Sequence, residues 1–201
     1  ELGVSVAGAA GPGCHLLASK GPIRGVEGDV RTDTSDCTEG EVLRGLTDVY
    51  QPDVAMLLFG EFPNEAVELD GRWSMPCEPG YLAAYRTELE GAVDDLQSTG
   101  APVALVTAPG TNVSWILDRV EPGMPERVQC MNDLLADVAR DRPGVGIVDL
   151  ASYVCPEPDR CNEMVDGIDL RPDGLHFQGP SAAYINRWLI PQVLAEAANP
   201  D

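Results

Sequence analysis

The 201-residue sequence lacks any run of the roughly 18 apolar residues that a bilayer-crossing helix needs. Its longest apolar run, Val54 to Phe59, has the length of a strand. No basic, then apolar, then small-residue leader opens the chain, so an exported form has lost its targeting segment or carries it upstream of Glu1. Lysine is nearly missing: Lys20 stands alone among 13 basic residues, set against 33 acidic ones for a net charge of −20. A field of that sign repels nucleic acid and anionic membrane surfaces, and it favours solubility and neutral or cationic partners. Histidine occurs only twice and no two cysteines form a CxxC pair, so zinc spacing is absent and no metal is expected. The stretch Gly8 to Lys20 does not meet the Gly-x4-Gly-Lys-Ser/Thr pattern of a phosphate loop. No GxGxxG follows a strand, and no cofactor is expected.

What is present fits one ordinary domain spanning residues 1–201. Hydrophobic residues make up 44% of the chain, enough for a core, and no repeat, low-complexity tract or linker interrupts it. Gly3 to Ala7 reads as a strand and Gly8 to Gly13 as a glycine-rich turn. A polar loop over 18–38 follows. Glu39 to Tyr50 has helical spacing, with Val42, Leu43, Leu46 and Val49 on one face. Asp53 to Phe59 is apolar throughout, as a strand buried on both faces should be. Gly60 to Pro79 reads as a loop, Gly80 to Ser98 as a helix and Pro102 to Thr107 as a second buried strand. Pro125 to Arg140 is helical, Val145 to Leu150 is a strand, a loop runs to about Gln178, and Pro180 to Ala198 is the last helix. Strands that alternate with helices imply an α/β fold with a parallel sheet covered on both faces. Sites in such sheets lie beyond the carboxyl ends of the strands. The loops to inspect are 8–17, 60–78, 108–124 and 151–178.

Six cysteines allow fifteen pairings. Cys155 and Cys161 bracket a short Pro/Asp loop that a disulfide can close. Cys14 and Cys37 flank a Gly-rich excursion, and Cys77 and Cys130 then pair by elimination. Disulfides imply an extracytoplasmic compartment (secreted, periplasmic or cell-surface), whereas six reduced core cysteines would imply a cytosolic one.

The informative stretch is Arg171-Pro-Asp-Gly-Leu-His176-Phe. Asp173 and His176 are three apart, just before the last helix. In nucleophilic acyl chemistry an imidazole takes the proton of a serine hydroxyl, and a carboxylate on the other ring nitrogen fixes the tautomer and stabilises the imidazolium. A DxxH spacing supplies both groups from one turn, and Gly174 permits the bend. Alone the tetrad also fits a surface Asp and a hydrogen-bonded His. Gly167 to Phe177, followed by a Trp-bearing helix, resembles the final block of SGNH/GDSL hydrolases. The closest likeness is to the SGNH domains fused to or partnered with membrane acyltransferase-3 proteins. Val6 to Cys14 is similar to the family's second block, in which a glycine N–H serves the oxyanion; by position that is Gly13. Leu57 to Gly60 resembles the third block, with Gly60 its glycine. Asp70-Gly-Arg-Trp73, Thr107-Ala-Pro109, Ile147-Val-Asp-Leu150 and the cysteine loop also look like the family.

The resemblance implies a flavodoxin-like, three-layer parallel sheet and Ser-His-Asp chemistry, with two departures. The family's Gly-Asp-Ser turn after the first strand is absent, so the first strand and its serine are expected upstream of Glu1 and the chain as it stands is expected to be inactive. Ser5, in Gly-Val-Ser-Val, reads as a residue of the second strand. In the order 2-1-3-4-5 strand one is central, so its loss leaves apolar faces and backbone groups bare. The third block's asparagine is replaced by Phe62; losing such a donor costs about 3–4 kcal/mol of transition-state stabilisation. Glu61, when ionised, can only accept.

The function expected is that of a serine esterase or O-acyltransferase acting on acyl esters of an extracytoplasmic glycan or lipid. His176 is the base, Asp173 its orienter, and Gly13 and Gly60 frame the oxyanion hole. Candidate substrate contacts are Glu61, Trp73 and Arg171. Arg171 can steady a carboxylate at the turn or be solvated. Trp73 and Trp115 can face a sugar or acyl group or simply anchor loops, and His15 can meet substrate or be structural. Asn112-Val-Ser114 is a glycosylation sequon. The alternative is a non-catalytic module that holds a glycan or a partner protein on the same scaffold.

Overall fold

The computed structural model describes residues 3–8, 15–25, 28–32, 39–58, 65–110, 123–157 and 160–198. Its elements are β1 (Ile23–Arg24), β2 (Val30–Arg31), α1 (Glu39–Tyr50), β3 (Ala55–Leu58), β4 (Ala66–Leu69), β5 (Arg72–Ser74), α2 (Pro79–Leu96), β6 (Val103–Val106), α3 (Met124–Asp141), β7 (Val145–Val148), α4 (Leu150–Val154), β8 (Met164–Val165), β9 (Ile168–Asp169) and α5 (Pro180–Ala198). The fold is α/β, built on a parallel sheet of order β3-β6-β7. Leu58, Val106 and Val148 lie in register, so the three strands end along one carboxyl edge.

Strand pleating splits the core in two. Val103 and Leu105 of β6 face one cluster with Tyr85, Leu89 and Val93 of α2 and Leu135 and Val138 of α3. Ala104 and Val106 face the other, with Leu150, Leu170, Ile185 and Leu189. All four residues of β6 are buried, as its unbroken apolar run requires. Burying a side chain such as Leu105 stabilises the fold by about 2–3 kcal/mol.

Several expectations are corrected. Gly3 to Ala7 forms no strand; residues 3–8 are exposed, Ser5 among them. Among the described residues β3 pairs only with β6, so it is an edge, and Met56 and Leu58 stay open although the run is apolar throughout. Among the described side chains of α1 the buried one is Thr47, whose hydroxyl lies 3.1 Å from that of Ser98, while Val42 and Val49 are exposed. The expected loop over 60–78 contains the β4–β5 hairpin, part of an antiparallel sheet of order β2-β1-β4-β5. Its turn is Asp70-Gly71, with φ of 51° and 75°, the paired positive values of a two-residue hairpin turn, which Asp-Gly tolerates. The expected loop over 151–178 likewise holds α4 and the β8–β9 hairpin. Cys77 is bonded to Cys130 and Cys155 to Cys161. The pairing of Cys14 with Cys37 lies outside the described residues. Among those described, no helix is long and apolar enough to cross a membrane.

Candidate active site

Asp173 and His176 sit in the turn that leads into α5. The Arg171 carbonyl accepts from Gly174 N–H at 2.7 Å, closing a tight bend, and Gly174 has φ of 75°, a conformation natural to glycine. The bend folds the Asp173 carboxylate over the chain that follows it. Its Oδ1 accepts from the N–H groups of Leu175 at 2.9 Å and His176 at 2.7 Å. Its Oδ2 lies 2.7 Å from His176 Nδ1 and accepts from Gln178 Nε2 at 2.9 Å. The His176 backbone and ring donors, in that order, hold the carboxyl well below the usual carboxylate range; its small burial works the other way. Asp173 is therefore anionic at neutral pH and orients the imidazole through Nδ1.

The rest of the His176 ring faces water: its side chain is 66% exposed. With Nδ1–H donated to Asp173, Nε2 of the neutral ring keeps a lone pair free to take a proton. Among the described residues no serine hydroxyl is bonded to it. Gln178 was not singled out by sequence reasoning. Its backbone N–H donates to Ser181 Oγ at 2.8 Å, and that hydroxyl donates back to the Gln178 carbonyl at 3.0 Å, anchoring the turn to a fully buried residue of α5.

Polar ties also fix the segments that leave β6 and β7 at the carboxyl edge of the sheet. The Thr107 hydroxyl, just past β6, bonds to Asp149 Oδ1 at 3.0 Å and accepts from Ala151 N–H at 2.9 Å. Asp149 also accepts from Ser152 N–H at 3.0 Å. Its burial alone would raise its pKa, but the Ser152 and Thr107 hydrogen bonds overcome that and lower it. The Asn132 amide brackets Ala108, accepting from its N–H and donating to its carbonyl, both at 2.9 Å. Thr107 and Asp149 lie in the family-like segments Thr107–Pro109 and Ile147–Leu150, while Asn132 carries no motif and no sequence signal marks it. Arg171 is 2% exposed, which excludes the solvated reading. It reaches inward and donates through Nη1 to the Gly110 carbonyl.

Gly13, Gly60, Glu61, Cys14, Cys37, Asn112, Ser114 and Trp115 lie outside the described residues. Trp73 is on β5, with the Arg24 guanidinium 4.7 Å from its ring centroid. It borders a groove of about 810 Å³ shared with Lys20, Leu69, Arg72, Glu78 and Thr87, and no residue of 171–178 lines that groove. His15 is a core residue at 1% exposure. Its Nδ1 accepts from Leu17 N–H at 3.0 Å, and its Nε2 meets the Tyr81 hydroxyl at 2.9 Å. Burial, helped by the positive field of Arg31, lowers its pKa from 6.5 to about 4. Among the described residues no group of three or more His, Cys, Asp or Glu is placed to hold a metal. A scan against protein-family models finds no match, and no curated protein matches the sequence.

Proposed function

We propose that this chain is the SGNH-type part of a serine esterase or O-acyltransferase, with His176 as general base and Asp173 as its orienter. The observation that carries the reading is the 2.7 Å Asp173–His176 contact, with the other side of the ring open to solvent. In the proposed reaction His176 Nε2 takes the proton of a serine hydroxyl as its oxygen attacks an ester carbonyl. The imidazolium, stabilised by Asp173, then returns that proton to the departing alkoxide, leaving an acyl-enzyme. Water or an acceptor hydroxyl repeats the sequence in reverse. Backbone N–H groups of Gly13 and Gly60 are proposed for the oxyanion, and a Gly-Asp-Ser turn preceding Glu1 for the nucleophile. A flavodoxin-like strand order, an extracytoplasmic location, an ester borne by a glycan or lipid, and an acyltransferase-3 membrane partner belong to the same proposal. They rest on the family resemblance and, for location, on the disulfides.

The test is hydrolysis of short p-nitrophenyl esters by the full natural chain. Hydrolysis that depends on His176 supports the reading, and hydrolysis that His176→Ala leaves untouched overturns it. A second reading, a glycan- or protein-binding module without chemistry, is favoured by one observation: among the described residues no hydroxyl is hydrogen-bonded to Nε2. The encoded sequence upstream of Glu1 separates the two. A strand ending in Gly-Asp-Ser favours the enzyme, and its absence favours the module.

A further inference from the structure

Arg171 is a cation that the fold buries next to its proposed catalytic pair, and its surroundings do not look like those of a stability device. Three elements converge on it. Its own carbonyl forms the 2.7 Å turn bond to Gly174, so any shift of residue 171 moves Asp173. Its Nη1 donates to the carbonyl of Gly110, the fourth residue beyond β6. Its Nη2 donates a long, weak hydrogen bond to Cys155 Sγ at 3.9 Å, a disulfide sulfur that can only accept. Leu170, just before it, is buried and donates its N–H to the Glu163 carbonyl at 2.8 Å.

This arrangement is costly. Nε of Arg171 is buried and has no hydrogen-bond partner among the described residues. A desolvated, half-bonded guanidinium destabilises a fold unless something offsets it. The negative fields of Glu163 and Asp173 offset part of the cost, against the desolvation that dominates. A planar fork can meet the Gly110 carbonyl while lying against the disulfide; an ammonium on a flexible stem offers a single point of contact.

We propose that Arg171 is a positioning residue: its buried fork ties the turn bearing Asp173 to Gly110 and to the Cys155–Cys161 loop, and so holds the carboxylate on His176 Nδ1. The catalytic part of this inference rests on the esterase reading; the structural part does not. The histidines supply a built-in assay. His15 accepts at Nδ1 and is the Nε2–H tautomer, whereas His176 donates from Nδ1 and is the Nδ1–H tautomer. Ring ¹⁵N shifts of the neutral full chain distinguish the two.

The experiment compares the wild type with Arg171→Gln, using the unchanged His15 pattern and the thermal midpoint as controls for folding. His176 is expected to be mainly the Nδ1–H tautomer in the wild type and to lose that majority in Arg171→Gln. Ester hydrolysis is expected to fall about 10–100-fold in kcat, with KM changed less than threefold. If Arg171→Gln does not fold, Arg171→Lys is read in the same way, since it keeps the charge and loses the fork. A folded variant whose His176 tautomer matches the wild type overturns the proposal. If the wild type hydrolyses no ester, the esterase reading fails, and the tautomer measurement still decides the role of Arg171.

Discussion

The two histidines sit against opposite halves of the core, and the contrast between them separates a structural imidazole from the one proposed to work. His15 sits beside the cluster of α2 and α3, sealed from water and bonded at both nitrogens. His176 sits on the rim over the α5 cluster, with one nitrogen held by an anionic carboxylate and the rest of the ring in solvent. Both are hydrogen-bonded, so bonding alone does not mark function. What differs is the setting: burial keeps His15 neutral between Tyr81 and a backbone N–H, while His176 faces an anionic carboxylate that would stabilise the charge the proposed reaction places on its ring.

The contrast breaks most visibly in activity. In the full natural chain, His176→Ala is expected to lower kcat by about 10⁴-fold or more, and Asp173→Asn by on the order of 10³–10⁴-fold. His176→Ala should leave denaturant-measured stability within about 0.5 kcal/mol, because its side chain is largely exposed. On the His15 half the effects should fall on stability instead. Cys77 precedes Tyr81 by four residues, and its bond to Cys130 spans 53 residues, so replacing both cysteines by alanine should cost about 4 kcal/mol of loop-closure entropy. The Cys155–Cys161 bond, on the His176 half, spans only 6, and its removal should cost about 2 kcal/mol in urea titrations.

A pH series sharpens the comparison further. Burial lowers the folded-state pKa of His15 from 6.5 to about 4. Its contribution to stability is therefore complete above pH 6.5 and is lost as pH falls toward 4, a change of about 3 kcal/mol. The same titration of His15→Gln should lack that component, while activity per folded molecule at neutral pH is kept. Tyr81→Phe removes one hydrogen bond from His15 and should cost about 1 kcal/mol, read as a lowered urea midpoint.

How much of this was legible in the sequence depended on length. Helices of 12 to 19 residues, such as α1 and α5, carry enough periodicity to be read, and the expected bounds of both match those observed. The parallel strands were legible as apolar runs. The antiparallel sheet was not, because strands of two to four residues show no period. Asp70-Gly71 was a signal that could have revealed one hairpin, and Asp166-Gly167, with φ of 51° and 77°, the other. The face of α1 was misjudged because hydrophobicity does not say which neighbours exist: Val42 and Val49 remain exposed while Thr47 is buried. At the site, DxxH was legible because its partners are local. Arg171 and Asn132 act through contacts that reach 61 and 24 residues along the chain, and spacing cannot report those; Gln178 is local, five residues from Asp173, but carries no motif.

The most direct measurement is labelling of the full natural chain by a fluorophosphonate, which phosphonylates an activated serine oxygen with loss of fluoride, followed by mass mapping of the labelled peptide. One serine should be labelled in the wild type, and the label should fall by orders of magnitude in folded His176→Ala. Labelling at equal rates in both proteins, or at no serine in the wild type, would contradict the role assigned to the Asp173–His176 pair.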